Sequence, residues 1–413
     1  APTRRPTVTL LRSFATILLL FAGEALQARS APAWSASWAA SPAPPLAASK
    51  MLPAAVLARA FSNQTVDQAV RLSVGGSALR VRLTNEYGEK SLRVGAARVA
   101  LLDEAGKPIP GTERALTFAG AGTTVIPPRA PWVSDPIAMT VPTRARLRIS
   151  LYFPDDTGLC TCHAVGGETA TISPPGDFTD LSFQPVGSFS ARAFISAVDV
   201  GNATPRPVIV TFGDSITDGF QSSADSDRRW PDRLAERLAA NKTMRDYGVV
   251  NAAISGNRIL SEGFIPLFGD SAVARFDRDV LSLPGARTVI LLEGINDIGQ
   301  GSGPRVTADA LIGGYRQIIA RAHARGLKII GGTMLPYEGA AYYRPEGNAV
   351  RKTVNLWIMT SGAFDGTIDF DKVMRDPASP DRLRADLQSG DWLHPNDAGY
   401  RAMGDAVPLS LLR

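Results

Sequence analysis

Between residues 31 and about 200, apolar and polar side chains alternate in short stretches. The segments Leu79–Leu83 and Leu147–Leu151 change between the two kinds at every position, which is the period of a half-buried β-strand. Turn-forming residues separate such stretches at intervals of about ten positions, and no long helical period appears among them. We therefore predict a β-rich region at 31–200, with a sandwich-like or jelly-roll-like architecture.

A different pattern begins at about residue 205, after the turn-rich segment Gly201–Pro205. Apolar runs typical of buried strands now alternate with segments of helical spacing. The predicted strands are Val208–Phe212, Val249–Val250, Thr288–Leu292 and Leu327–Ile330, and the predicted helices are Trp230–Ala240 and Ala308–Arg325. This alternation indicates a parallel sheet covered on both faces, and hence an α/β region at 205–413.

The start of the chain carries the three-part pattern of a secretory signal peptide. Arg4, Arg5 and Arg12 precede the apolar run Phe14–Ala22, and small residues with a candidate cleavage site at Ala28–Ser30 follow. The apolar run is too short to span a bilayer comfortably. We predict that residues 1–30 are a signal peptide and that the protein is secreted or periplasmic. The alternative is a buried helix of the mature protein.

The small number of histidines narrows the possible chemistry more than the net charge does. With 45% hydrophobic and 20% charged residues, the 413-residue chain is close to the soluble globular average. Its net charge of +5 comes from scattered arginines rather than a basic run, so we expect no nucleic-acid partner. After the first few dozen positions no apolar stretch reaches 18 residues, so we expect no stable membrane span in the rest of the chain. Only His163, His323 and His394 can supply an imidazole for acid–base chemistry at neutral pH.

The two cysteines, Cys160 and Cys162, stand beside His163 in one short run. After export they would meet an oxidising compartment and could be bonded to each other, although a bridge across one intervening residue is strained. The three residues could instead hold a metal ion, but no fourth ligand is evident. We expect no metal and no cofactor.

Three candidate groups follow predicted strands, where ligands bind in open α/β sheets. Ser215, in Gly213-Asp-Ser, opens a helix with its hydroxyl exposed and its own N–H facing the cleft; a helix-capping serine is the alternative. Gly256 can present a bare backbone N–H, or it is an ordinary loop glycine. Asn296 carries side-chain N–H donors that can stabilise an oxyanion without titrating, or it serves a turn or cap.

Near the end of the chain, a carboxylate and an imidazole stand three positions apart, at Asp391 and His394. On a short loop, Asp391 can hold the Nδ1 of His394 and leave Nε2 free to take a proton from a serine. Asn396 or Asp397 then caps the helix that follows, which fixes the loop. The pair therefore predicts a catalytic base that matches Ser215.

Taken in this order, the four groups resemble the SGNH (GDSL) hydrolase superfamily over residues 205–413. The resemblance implies a three-layer α/β/α flavodoxin-like fold with a parallel sheet. It also implies that Ser215 is the nucleophile and that His394, oriented by Asp391, is the general base and acid. The implied oxyanion hole consists of the Ser215 and Gly256 backbone N–H groups and the Asn296 side chain. The chain lacks the Gly-x-Ser-x-Gly elbow of ordinary α/β-hydrolases.

Three further blocks resemble a secreted subgroup of this superfamily that is similar to XynE: Arg229–Leu234, Glu293–Gly299 and Gly362–Asp365. Members of that subgroup are assigned acetylxylan-esterase or related carbohydrate-esterase activity and carry a β-rich region in front of the catalytic one. The resemblance implies a secreted serine esterase whose substrate is a short-chain, acetyl ester on a carbohydrate.

The candidate substrate-binding residues are Asp214, Tyr337 and Trp392. Tyr337 shares a loop with Tyr342 and Tyr343, which could stack on sugar rings or could cover the end of the sheet. Two other functions stay open. One is a lipase, lysophospholipase or arylesterase of the same superfamily, although no long apolar lid is seen. The other is a polysaccharide-binding protein with a vestigial hydrolase domain, against which the intact catalytic set argues.

Overall fold

The computed structural model describes residues 32–50, 54–300 and 305–413; the predicted signal peptide lies outside them. In these parts of the chain, no helix is both long enough and apolar enough to cross a bilayer. The first region is built from short strands: β1 (Ala33–Ala39), β2 (Gln64–Arg71), β3 (Gly76–Thr84), β4 (Leu92–Val94), β5 (Ala96–Leu102), β6 (Arg114–Ala115), β7 (Thr124–Ile126), β8 (Pro131–Val133), β9 (Ile137–Val141), β10 (Arg146–Phe153), β11 (Cys162–His163), β12 (Ala170–Pro175), β13 (Gly187–Phe189), β14 (Arg192–Ala193) and β15 (Ile195–Asn202).

These strands pair in antiparallel sheets. One sheet has the order β1-β15-β3-β8, with β9 also on β3, and another has the order β13-β12-β2-β10-β5-β6. The alternation at Leu79–Leu83 and Leu147–Leu151 lies in β3 and β10, and the apolar side chains of both join one hydrophobic core. The predicted strands are confirmed, and the sandwich or jelly-roll architecture stays a prediction.

The second region alternates strands and helices, as the change of pattern predicts. Its strands are β16 (Val208–Gly213), β17 (Gly248–Asn251), β18 (Ala286–Leu292), β19 (Lys328–Gly332) and β20 (Gly366–Ile368). Its α-helices are α1 (Ser215–Asp218), α2 (Trp230–Ala239), α3 (Ala272–Phe276), α4 (Ile295–Gly299), α5 (Ala308–Ala324), α6 (Pro345–Thr360), α7 (Phe370–Met374) and α8 (Asp397–Ala406). A π-helical turn covers Asp277–Leu281, and short 3₁₀ turns lie at Ala54–Val56, Pro266–Phe268, Ala385–Leu387 and Leu409–Leu412.

The strands of this region form one parallel sheet in the order β17-β16-β18-β19-β20. Counted along the chain this is 2-1-3-4-5, the order of flavodoxin-like sheets. The order reverses at β16, so right-handed crossovers place helices on both faces. The predicted α/β fold with a parallel sheet is confirmed, and the reversal puts a crevice beyond the carboxyl end of β16, where ligands bind in such folds.

The two regions are in direct contact within residues 32–413, which form one compact unit. β1 lies against β17, and the backbone N–H of Ala36 donates to the Pro284 carbonyl at 2.8 Å. The Val249 N–H of β17 donates to Ser73 Oγ at 3.0 Å. Ser41 Oγ donates to the Ala252 carbonyl, also at 3.0 Å. The β-rich region therefore reaches the segment that follows β17.

Candidate active site

Ser215 is the first residue of α1, directly after β16. The helix lasts one turn because Gly219 takes the left-handed conformation, with φ at 90°, and its N–H returns to the Ser215 carbonyl. A Cβ at Gly213 would lie 2.2 Å from the Leu292 carbonyl oxygen, so only glycine lets this turn pack against β18. The turn places a buried serine at the crevice.

The hydroxyl of Ser215 is hydrogen-bonded to His394 at 2.8 Å, through Nε2 of the ring. The other ring nitrogen, Nδ1, lies 2.6 Å from Asp391 Oδ2. Burial opposes ionisation of Asp391, but the hydrogen bonds and charge of His394 outweigh it and hold the pKa of Asp391 well below its ordinary value. Asp391 is therefore a carboxylate at neutral pH and fixes the tautomer in which Nε2 faces the serine.

The loop that carries this pair is held at both ends. Asp391 Oδ1 accepts the backbone N–H groups of Leu393 and His394, each at 2.9 Å. Asn396 caps α8 by accepting the Gly399 N–H at 3.0 Å, as predicted for this position or its neighbour. The ring of Phe220 packs edge-on against His394, with 4.8 Å between the centroids. The imidazole is thus fixed by contacts on several sides.

Asn296 lies in α4, beyond the end of β18, and its amide orientation is determined by its partners. Its Oδ1 accepts hydrogen bonds from Gln300 Nε2 at 2.7 Å and from the Tyr342 hydroxyl at 3.3 Å. Its Nδ2 donates to the Asn257 carbonyl at 3.0 Å. An amide nitrogen carries two hydrogens, so one N–H of Asn296 is left for an oxyanion.

Gly256 lies in the loop that follows β17, one residue before Asn257. Its φ is 80°, and an added Cβ would lie 2.3 Å from the ring of Phe268, so the position requires glycine. The buried side chain of Arg275 fastens this loop to the nucleophile turn, since it donates to Asn257 Oδ1 and to the Gly213 carbonyl. Within the described residues, no acceptor takes the backbone N–H of Ser215 or Gly256. Both remain available to a ligand.

A serine hydroxyl, an imidazole, a carboxylate and unpaired N–H donors are therefore brought together at one crevice. Residues 211–402 match the model of the GDSL-like Lipase/Acylhydrolase family. The match spans 192 of the 413 residues, and this region of the chain is similar to that family. The protein is a carboxylic ester hydrolase. Residues 32–210 precede the matched segment.

Solved structures of other proteins resemble about half of this chain. A GDSL-like lipase from Bacteroides thetaiotaomicron is 19% identical, with a TM-score of 0.37; the match covers 49% of this chain and 87% of that one. An acetyl xylan esterase, AlAXEase, is 20% identical at a TM-score of 0.36, covering 48% and 96%. LAE5, an alpha/beta hydrolase from the metagenome of Lake Arreo, Spain, is 20% identical at 0.37, covering 50% and 94%. No curated protein matches the chain.

A group of buried carboxyls lies close to Ser215. Asp214 caps α1 by accepting the Ile216 N–H at 3.0 Å and is hydrogen-bonded to Glu293. Burial raises the pKa of Asp214 to about 7, and nearby Asp297 adds to the effect. Burial likewise raises the pKa of Glu293 well above its ordinary value. The carboxyl of Asp214 thus serves the helix and Glu293 here, and its contact with a substrate stays a prediction.

The other two candidate substrate-binding residues lie in different surroundings. Trp392 is partly exposed beside Asp391, and the guanidinium of Arg382 lies 4.9 Å from its ring centroid. Tyr337 is fully buried and packs against the rings of Tyr342 and Tyr343. A substrate contact for either residue stays a prediction, with Trp392 the better placed.

Two aromatic side chains at the site were not singled out from the sequence. The sequence places Tyr342 only in the same loop as Tyr337, yet its hydroxyl is the one that reaches Asn296. Phe220 packs on the catalytic imidazole although it follows α1 by only two positions. The nearness of Phe220 to Gly213-Asp-Ser was a usable signal, whereas the choice among three neighbouring tyrosines depends on turn geometry.

The remaining chemistry-bearing residues of the sequence are occupied elsewhere. Cys160 and Cys162 form a disulfide, the bonded alternative of the two left open. His323 is partly exposed on α5 and lies 2.9 Å from Asp365. Among residues 32–50, 54–300 and 305–413, no group of three or more histidine, cysteine, aspartate or glutamate side chains is arranged to hold a metal ion.

Proposed function

We propose that the protein is a secreted serine esterase that removes short acyl groups, acetyl above all, from carbohydrate. The single observation that carries the serine mechanism is the hydrogen-bonded series from Ser215 through His394 to Asp391. A hydroxyl, a ring nitrogen and a carboxylate in this order form the arrangement of a serine hydrolase. The intact series also argues against a vestigial hydrolase domain.

The mechanism follows from the positions of these groups. Ser215 Oγ attacks the ester carbonyl while His394 Nε2 takes the hydroxyl proton. The resulting oxyanion is stabilised by the N–H groups of Ser215, Gly256 and Asn296. His394 then gives its proton to the leaving alcohol, and an acyl-enzyme remains. Water, deprotonated by His394, attacks this acyl group, and the proton returns to Ser215 Oγ as the acid departs.

Export is supported by the disulfide and by the charge pattern at the start of the chain. The Cys160–Cys162 bond suits an oxidising compartment, and thiols of cytosolic proteins are mostly kept reduced. The arginines and apolar run before residue 30 suit a signal peptide. These two observations are independent of each other, and both favour a secreted or periplasmic protein.

A carbohydrate substrate is supported by a partly exposed aromatic side chain next to Asp391 in the sequence. Trp392 is partly exposed and directly follows the catalytic Asp391, so its ring can meet the alcohol side of an ester. Aromatic rings offer apolar faces that stack on the C–H faces of sugars. The resemblance to the XynE-like subgroup points to the same class of ester.

An apolar recess beside the site favours a second candidate, an arylesterase or lipase with a longer acyl or aryl group. The recess has a volume of about 70 Å³, and its apolar lining includes Val56, Val165, Phe220, Ile254, Leu267 and Phe268. Phe220 touches His394, and Phe268 touches the backbone of Gly256, so the recess adjoins the reacting centre. It has room for about five water-sized groups, which exceeds an acetyl methyl.

A release assay over two series of esters separates the candidates. One series is acetylated xylan and acetylated pectin fragments; the other is p-nitrophenyl esters from acetate to octanoate. We expect acetate release from acetylated xylan and the highest kcat/KM at acetate, with Ser215→Ala inactive on both. A kcat/KM that rises to hexanoate, with acetylated polysaccharides untouched, would establish the second candidate instead. Inactivity of the wild type on both series, together with retention on insoluble xylan, would establish the binding protein.

A further inference from the structure

His163 belongs to the β-rich region, yet it lies against the nucleophile helix. It is the second residue of β11, and only 5% of it is exposed. Nδ1 lies 3.0 Å from the Ser41 carbonyl oxygen. Nε2 lies 2.9 Å from Asp218 Oδ1 and 3.0 Å from the Val165 carbonyl oxygen. Every partner is a hydrogen-bond acceptor, so both ring nitrogens must carry a proton, and the ring is an imidazolium.

The carboxylate that faces this imidazolium has a second set of partners. Asp218, the last residue of α1, accepts the Ser255 N–H at 2.8 Å and the Ser255 hydroxyl at 2.7 Å, both through Oδ2. Ser255 directly precedes Gly256, whose N–H belongs to the oxyanion hole. One buried carboxylate therefore connects the β-rich region on one side with the oxyanion loop on the other.

The charges around His163 favour its protonated form. Burial opposes the charge, but the carboxylate of Asp218 outweighs burial and raises the pKa of His163 above its ordinary value. Arg229, at the start of α2, acts in the opposite direction. Arg192, which faces His163 across the β11–β14 pair, is itself paired with the buried Glu168 at 3.9 Å.

We propose that His163 is a positioning residue of the esterase, which as an imidazolium holds Asp218, and through it Ser255, so that the Gly256 N–H faces the reacting carbonyl. The inference rests on the oxyanion role of Gly256 in the proposed mechanism. Without the cation, the buried carboxylate of Asp218 loses the hydrogen bond that fixes Oδ1 and keeps only the bonds to Ser255 and the more general attraction of Arg229. The Ser255 N–H then loses a fixed partner, and the loop that carries Gly256 loosens.

The test compares His163→Gln with the matched control His323→Gln. Glutamine is polar and uncharged, and His323 is an exposed histidine that lies outside the site. We expect His163→Gln to lower kcat about 10- to 100-fold, less than deletion of an oxyanion donor, with KM nearly unchanged. His323→Gln should match the wild type. If His163→Gln and His323→Gln both have the kcat of the wild type, the proposal is overturned.

The pH profile separates a positioning role from a merely structural one. In the wild type, kcat should fall at alkaline pH as His163 loses its proton, and His163→Gln should lack that alkaline decline. A lower kcat that keeps the wild-type decline overturns the proposal. Ser215→Ala supplies the separate check on the esterase itself, since its full activity would refute the mechanism and not only the role of His163.

A measurement on the unaltered protein covers the case in which His163→Gln does not fold. The imidazole ¹⁵N resonances of the three histidines can be recorded in the full chain, with His323→Gln assigning one of them. At about pH 7, His163 should show the two protonated nitrogens of an imidazolium. The signals of a neutral ring at that pH would overturn the proposal.

Discussion

The molecule contains two histidine–aspartate pairs with opposite surroundings. His394 and Asp391, 2.6 Å apart, lie at the crevice, where 40% of the Asp391 side chain is exposed. His163 and Asp218, 2.9 Å apart, lie at the junction of the two regions, with at most 6% of either side chain exposed. Nε2 of His394 faces a serine hydroxyl that can give up a proton, whereas His163 faces only acceptors. The same two residue types therefore face a proton donor in one place and only acceptors in the other.

The largest loss of activity should come from a change in the His394–Asp391 pair at the crevice. Asp391→Asn leaves the loop polar but favours the wrong tautomer of His394, so kcat should drop about 10⁴-fold, near 5 kcal/mol in activation free energy. The measurement is steady-state hydrolysis of p-nitrophenyl acetate. The free energy of unfolding, measured in urea on the same variant, should change by less than about 1 kcal/mol. Activity near the wild-type level would remove Asp391 from the mechanism.

A change in the buried His163–Asp218 pair should mainly lower the stability of the fold. Asp218→Asn removes the partner of a buried imidazolium, so the free energy of unfolding should fall by about 3–5 kcal/mol. Urea unfolding followed by tryptophan fluorescence measures this loss. A variant as stable as Asp391→Asn would show that the two pairs do not differ in the way described.

At the crevice, loss of the Asn296 donor should lower kcat less than loss of the Asp391 carboxylate. Asn296→Ala removes the amide N–H and should lower kcat by about 10²–10³-fold, or 3–4 kcal/mol. Asn296→Asp, which matches the amide in size but offers no donor when ionised, should be at least as severe. If Asn296→Ala retained more than a tenth of the wild-type kcat, the amide would not be a donor to the reacting carbonyl.

A smaller effect should appear in the pH dependence of stability, because the fold also buries an acid. The pKa of Asp214 is raised to about 7, so the folded chain binds a proton there that the unfolded chain has lost by pH 5. The free energy of unfolding should therefore decrease as pH rises from 5 to 7, by on the order of 2 kcal/mol. His163, with its raised pKa, contributes stability that is likewise lost at higher pH.

The variant Asp214→Asn separates the contribution of Asp214 to the pH dependence of stability from that of His163. Asparagine caps helices as well as aspartate does, so the variant keeps the hydrogen bond to Ile216 and loses only the titration. The decrease between pH 5 and 7 should become shallower in Asp214→Asn. An unchanged slope in thermal melts at several pH values would assign the dependence to other groups.

Much of the fold follows from periodicity alone. The alternation in β3 and β10 and the apolar runs of β16 and β18 reflect burial on one or on both faces, which local pattern records directly. β20 was not predicted, because a strand of three residues has too few positions to show a period. α6 was not predicted either, since several of its buried positions carry polar side chains such as Asn348, Arg351 and Asn355.

The site divides in a similar way. Ser215, Asp391 and His394 lie in short motifs whose spacing already implies their chemistry. The approach of His163 to Asp218 spans 55 positions and depends on how the two regions pack, so no local pattern shows it. The burial of Asp214 depends on Glu293, which follows a different strand.

The Val249 N–H adds a consequence for the ancestry of the chain. It belongs to the edge strand of the parallel sheet and takes its acceptor, Ser73 Oγ, from the β-rich region. Gene recombination that moved the α/β region alone would open this sheet edge and remove His163 from Asp218. An α/β region of this sequence without the β-rich region is therefore expected to need another cover for this sheet edge.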